Sequence, residues 1–167
     1  MDFVRVPSSS GADPLDAFVR AQGDRLLRLA YGLTGNASDA EDLWQDTFAD
    51  VIRSWNKVAA AGAPGAYVRT MMTRRHISNH RRRWRSERPM PNDELDRAHH
   101  PKGEAEAARD LWPLLEGLSP RTRAVLVLRY AEDLDDAAIA EILGIGASTV
   151  RSVASRGLAA LRERDMT

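Results

Sequence analysis

The sequence predicts an all-α protein made of two small helical domains joined by a linker. Three observations carry that prediction. Apolar residues recur at three-to-four spacing through most of the chain, proline, glycine and capping residues interrupt the pattern at helix-length intervals, and no segment alternates as a half-buried strand does. At 167 residues the chain is long enough for one ordinary domain or two small ones, and a 43% hydrophobic share lets each bury a core.

Residues 1–13 read as a tail, since Ser8, Ser9, Ser10 and Gly11 offer nothing to a core. Pro14 suits a first helical turn, and Leu15, Phe18, Val19, Leu26, Leu29, Ala30 and Leu33 mark the inner face of a first helix that Gly35 and Asn36 break. Ser38, with Glu41 three residues later, has capping-box spacing and predicts the start of a second helix. Along that helix Leu43, Thr47 and Val51, joined by Trp44, Phe48, Ile52 and Trp55, form a broad apolar band. Gln45, Asp46 and Asp50 leave a polar, partly acidic strip. Residues 57–64 read as a small-residue loop, and residues 65–83 as one long helix stopped by Pro89 and Pro91. Pro91, Asn92, His99, His100, Pro101 and Gly103 make residues 90–103 a linker, so the first domain covers 14–89 and the second 104–167.

The second domain opens with a helix over 104–115. Ser119 caps the next helix and Pro120 is its first residue, with Ala124, Val125 and Leu128 facing inward. A turn and cap over 133–136 leads to a short helix over 137–143, a turn over 144–147 and a last helix over 148–164. In that final pair Ala140, Gly144 and Val150 have the spacing of a helix-turn-helix. A small residue lets two helices approach, glycine makes the turn, and an apolar residue seats the second helix on the first. Any close helical hairpin shares that spacing. What favours DNA is the face that follows: Ser148, Thr149, Arg151, Ser152, Ser155 and Arg156 put hydroxyls and guanidinium groups where a recognition helix meets the major groove.

Formal net charge is zero, but the charges are segregated. Eight arginines stand against one acid between Arg69 and Arg88, and seven acids against three bases between Pro89 and Gly117. Local patches, more than totals, steer a protein toward a polyanion. Arg69, Arg74, Arg75, Arg81 and Arg82 line the long helix, and Trp84 sits within the basic run, where an indole can stack on a base. The same run also fits a solvated helix end, an acidic protein partner or an anionic membrane surface. His76 and His80, four apart, share a helix face, but no third ligand completes a metal site.

There is no cysteine, which excludes disulfides and thiolate metal sites and fits a reducing, cytoplasmic compartment. No apolar run approaches the ~20 residues of a membrane span, so no membrane insertion is expected. No nucleotide-binding glycine loop, metalloprotease or nucleophile-elbow motif occurs, so neither covalent catalysis nor a cofactor is implied.

The order of these features resembles the sigma-70 superfamily of RNA polymerase sigma factors. The segment from Asp39 to Phe48, DAEDLWQDTF, is similar to the signature of the second conserved region, and Pro64-Gly65-Ala66-Tyr67-Val68-Arg69 to the start of its DNA-melting helix. The stretch Leu118-Ser119-Pro120, followed by Ile139-Ala140-Glu141-Ile142-Leu143-Gly144 and Ser148-Thr149-Val150-Arg151-Ser152, is similar to the fourth region and its helix-turn-helix. The resemblance spans roughly residues 15–164. No first or third region is recognisable, which favours the compact extracytoplasmic-function (ECF) subgroup and, within it, the actinobacterial SigE-like members.

The resemblance implies a region 2-like helical bundle and a region 4-like helix-turn-helix domain, with core RNA polymerase and promoter DNA as partners. Leu43, Trp44, Gln45, Asp46 and Asp50 are the positions matching the polymerase-docking helix. Asn56 and Lys57 begin the loop that captures a flipped base of the -10 element. They join Arg69, Arg74, Arg75, Arg81, Arg82 and Trp84 on the single strand, although Arg74 stands where the family often has asparagine. Ser148, Thr149, Arg151, Ser152, Ser155 and Arg156 would read the -35 element. An anti-sigma factor is common in the family, and no residue here identifies one. Two rival readings are a stand-alone helix-turn-helix regulator and a helical protein-interaction module that binds no DNA.

Overall fold

The computed structural model describes residues 13–86 and 112–167, with side chains over 13–82 and 114–167. Every regular element among them is helical. The N-terminal half holds α1 (Pro14–Thr34), α2 (Ala37–Arg53), α3 (Trp55–Ala60) and α4 (Pro64–Ser86). The C-terminal half holds α5 (Trp112–Leu115), α6 (Pro120–Leu126) running into a π-helical segment (Val127–Ala131), α7 (Asp136–Leu143) and α8 (Ala147–Asp165). The expected linker over 90–103, most of the tail, and the part of the 104–115 helix before Trp112 lie outside the described residues.

Local chemistry sets most boundaries. Asp13 accepts from the Leu15 N–H and Pro14 is the first residue of α1, while Gly35 ends it in the left-handed region at φ 80°. Helix α2 starts earlier than its capping-box spacing predicts. Asn36, not Ser38, is the cap: its side-chain oxygen accepts from Asp39 N–H at 2.8 Å, and its amide donates to the Asp39 carboxylate at 2.9 Å. The expected loop over 57–64 is largely helical as well. Helix α3 forms because Val58 is fully buried and anchors the turn, leaving 61–63 as the connection. Ser119 and Pro120 open α6 as expected, and Asp135 caps α7 through Ala138 N–H at 2.8 Å.

The core is one continuous cluster that runs through both halves. Leu29, Leu33, Val51, Val68 and Met72 fill the first half, and Val125, Leu128, Ile139 and Val150 the second. The five consecutive residues Ala124 to Leu128 are all buried. A helix buried on every side needs partners on every side, and these come from α8 on one flank and α1 and α4 on the other. The π-turn, closed by Glu132 N–H to the Val127 carbonyl at 3.2 Å, rotates Val127 toward α1. The two halves therefore pack on one another, an arrangement that linker-based reading of the sequence does not specify.

Candidate nucleic-acid interface

Helices α7 and α8 cross at a bend of 102°. Gly144 makes this turn at φ 67°, and Ile145 N–H returns to the Ala140 carbonyl at 3.1 Å, closing a Schellman-type cap. Val150 is fully buried against α7, with Ile139 and Ile142 beneath it. These are the geometric roles that Ala140, Gly144 and Val150 suggest in sequence. With one face of α8 seated, Ser148, Arg151, Ser152, Ser155 and Arg156 stand on the exposed face and Thr149 is half-buried. Asp136 lies between two guanidinium groups, Arg129 at 3.2 Å and Arg151 at 3.8 Å, so the exposed candidate base-reader Arg151 has a carboxylate behind it. Arg156 Nε donates to the Ser152 carbonyl at 3.3 Å and lies along its own helix.

On α4 the basic residues are not equivalent. Arg81 and Arg82 are exposed near its C-terminal end, with the Trp84 side chain outside the described residues. Arg75 is paired with Asp50 of α2. Arg69 is half-buried and reaches Glu132 at 3.4 Å, and Glu132 also meets Arg25 at 3.1 Å. Arg74 donates through Nε to the Ile142 carbonyl and through Nη2 to the Glu141 carbonyl, both at 3.0 Å. Asn56 and Lys57 are exposed on α3. Asn56, Lys57, Arg81 and Arg82 are thus exposed, Arg74 is exposed while contacting the other half of the chain, and Arg69 is half-buried against that half.

The docking strip on α2 divides in the same way. Gln45 and Asp46 are exposed. Leu43 is 4% exposed and belongs to the core, so the sequence-based expectation that it meets a partner gives way to packing. Trp44 is half-buried, stacked on Phe48 with ring centroids 4.3 Å apart, and its Nε1 donates to the Gly23 carbonyl at 3.1 Å. Asp50 is held between Arg53 and Arg75. Sequence reading missed Ile52, 60% exposed beside this strip, because its spacing places it with the apolar band.

Among the described residues no group of three or more His, Cys, Asp or Glu is placed to hold a metal. No single helix there is long and apolar enough to cross a membrane. His76 and His80 meet edge to face at 6.3 Å. The sequence sites missed Arg123 entirely. Its Nε and Nη2 donate to the Leu115 carbonyl at 3.3 and 3.0 Å, and its Nη1 to the Thr34 carbonyl at 3.2 Å. Burial lowers its pKa from the ordinary arginine value, and Glu116 offsets part of that. Only its position beside Ser119-Pro120, one turn into a buried helix, hints at such a role.

Residues 18–86 match the family described as Sigma-70 region 2, and residues 114–163 match Sigma-70, region 4. The chain is 36% identical over 155 residues to the ECF RNA polymerase sigma factor SigE of Mycolicibacterium smegmatis, covering 89% of this chain and 60% of that protein's length. It is 34% identical to the RNA polymerase sigma-E factor of Streptomyces avermitilis, covering 89% of this chain and 83% of that protein. In fold it is similar to the sigma factor RpoE of Bartonella quintana, solved with the anti-sigma factor NepR, at a TM-score of 0.66, 23% identity and coverage of 88% and 93%. SigJ of Mycobacterium tuberculosis, an extracytoplasmic function sigma factor, aligns at a TM-score of 0.59 and 22% identity over 87% of this chain and 52% of that one. The expectation of a cytoplasmic placement is withdrawn: lack of cysteine does not fix where a chain resides, and the similar fold of RpoE was solved bound to an anti-sigma factor, with no compartment indicated. With both regions matched in order and actinobacterial SigE-like relatives over most of its length, this chain belongs to the sigma-70 family as a member of the ECF group.

Proposed function

We propose that the chain binds core RNA polymerase and directs promoter recognition, melting and initiation. The observation that carries this reading is a helix-turn-helix with a hydroxyl- and arginine-bearing outer face, built into the same chain as a region 2 body with a basic long helix. Helix α8 enters the major groove of the -35 element, with Arg151 donating to a guanine edge and Ser148, Ser152, Ser155 and Arg156 holding phosphates. Asn56 and Lys57 at α3, with the arginines of α4, grip the unstacked -10 strand, which offsets the stacking lost on melting. Gln45 and Asp46 present the docking strip to polymerase, while Leu43, Trp44 and Asp50 set its shape from inside. Neither half needs to hold DNA strongly alone, because tethering to polymerase raises the effective concentration of each. An anti-sigma protein is the further partner this reading predicts, on the likeness to a fold solved with one.

Run-off transcription with purified core polymerase on fractionated genomic promoter fragments tests the reading. Specific transcripts that depend on this chain are expected. Tight binding to a palindrome without polymerase would instead make it a stand-alone regulator, and no promoter signal with polymerase present would make it an interaction module.

A further inference from the structure

The turn that leads into α7 is rich in acids, and the fold gives three of them separate tasks. Glu132 takes Arg25 and Arg69. Asp135 caps α7 by accepting from the Ala138 N–H at 2.8 Å. Asp136, the first residue of α7, is turned toward α8. Its Oδ1 is buried with no hydrogen-bond partner among the described residues, and Arg129 Nη1 stands 3.2 Å from it as an ion pair. Its Oδ2 lies 3.8 Å from Arg151 Nη1. The Asp136 side chain is 20% exposed and that of Arg151 61%. The carboxylate is thus held inside the motif, while the guanidinium facing it stays open to a ligand. Its seat is rigid, because the start of α7 is capped and fully buried Ile139 and Val150 lock α7 to α8.

For stability this arrangement matters little, since an ion pair with one exposed partner is screened and costs side-chain entropy. Its effect falls on orientation. An arginine has many rotamers, and its guanidinium presents five N–H donors in a planar fork. A carboxylate beside one Nη biases the fork so that its remaining donors point outward, as a bidentate bond to guanine O6 and N7 requires. Covering the pair with a base edge excludes water and strengthens the attraction. The same negative charge opposes the other use of Arg151, because a phosphate drawn to this guanidinium also meets the carboxylate behind it.

We propose that Asp136 is a specificity-determining positioning residue: it holds the Arg151 guanidinium for one guanine of the -35 element and disfavours its use as a general phosphate contact. This rests on the promoter-binding reading above and deepens it. The consequence has two signs. Removing the charge relaxes the choice of base at one position, and it leaves affinity for unrelated duplex unchanged or higher. A carboxylate that only supported the turn would, once removed, weaken both together.

Holoenzyme assembled from core polymerase and the full chain is given promoter fragments randomised at the -35 element, and the templates that yield run-off transcripts are sequenced. With the natural chain one position should prefer guanine by about tenfold, within the discrimination of a bidentate arginine–guanine pair, and Arg151→Ala should abolish that preference. Asp136→Asn should lower it by about threefold or more while the other positions keep theirs. Asp136→Glu, which retains the charge, should keep more of it than Asp136→Asn does. Retention of the same holoenzymes on promoter-free duplex should be unchanged or higher in Asp136→Asn. An Asp136→Asn profile identical to the natural one at the Arg151-dependent position would overturn the proposal and leave the promoter reading intact. So would an Asp136→Glu profile as relaxed as that of Asp136→Asn, or a loss at every position with weaker retention on promoter-free duplex. Base preferences untouched by Arg151→Ala would remove the proposal through its target. No specific transcript from any template with the natural chain would remove the sigma reading and the proposal with it.

Discussion

Trp44 shows how one side chain can look like a docking residue in sequence and act as a strut in the fold. Its ring lies on Phe48 and its indole N–H reaches back to the Gly23 carbonyl of α1, so it ties α2 to α1. Trp44→Phe keeps an aromatic face and removes the hydrogen bond. A loss of about 1 kcal/mol in urea unfolding is expected, with polymerase affinity changed less than twofold. A large fall in polymerase binding at unchanged stability would return Trp44 to the docking surface. The sequence shows which positions are apolar and which acidic. It does not show that Asp50 is held by Arg53 and Arg75, because Arg75 arrives from α4, a helix whose rotation is set only by the folded core. Arg123 was hidden for the same reason: its acceptors are backbone carbonyls of two other helices, and a carbonyl leaves no trace in a sequence.

At the level of elements, the helix-turn-helix was the most legible part, since each of its three spacing residues has a local physical task. Gly144 has the purest one. It holds φ 67°, and a Cβ added there would meet nothing within 4 Å, so the whole cost of a side chain is backbone strain. Gly144→Ala should therefore lower stability by about 1–2 kcal/mol, and Gly144→Asn by clearly less, because asparagine tolerates the left-handed region. Equal losses in chemical denaturation would mean that packing, not backbone conformation, sets the turn. Other element boundaries were less legible where two caps compete. Asn36 and Ser38 both can open α2, and Asn36 wins with two hydrogen bonds to Asp39. The small residues of 57–64 suggest a loop where α3 continues to Ala60, because the burial of Val58 that fixes this turn depends on packing against other helices, which local composition does not show. The π-turn had no signal at all, since it arises where a helix must face two bodies at once.

For the whole molecule, the sequence predicts two bodies and a linker, whereas the described residues share one core. The difference has an energetic consequence. Val125 and Leu128 are fully buried, Val127 rests on α1, and Arg123 reaches the last turn of α1. Removing the first half would expose the outer flank of α6 and leave the Arg123 guanidinium without one acceptor. Two bodies that share such a flank unfold together if the coupling exceeds the difference in their separate stabilities, so the free chain should show one cooperative thermal transition by both circular dichroism and tryptophan fluorescence. With the second half's single tryptophan replaced (Trp112→Phe), fluorescence reports on the first half, which holds Trp44, Trp55 and Trp84, whereas circular dichroism reports on all helices. Gly32→Glu, which drives a carboxylate into Val127 while replacing a glycine inside α1 with a better helix former, should split that transition in two, with the fluorescence transition at or above its original temperature. Two transitions already present in the natural chain would mean that the flank of α6 adheres too weakly to hold the halves together. A single transition that simply moves down in Gly32→Glu would mean that α1 itself, not the contact between halves, was damaged.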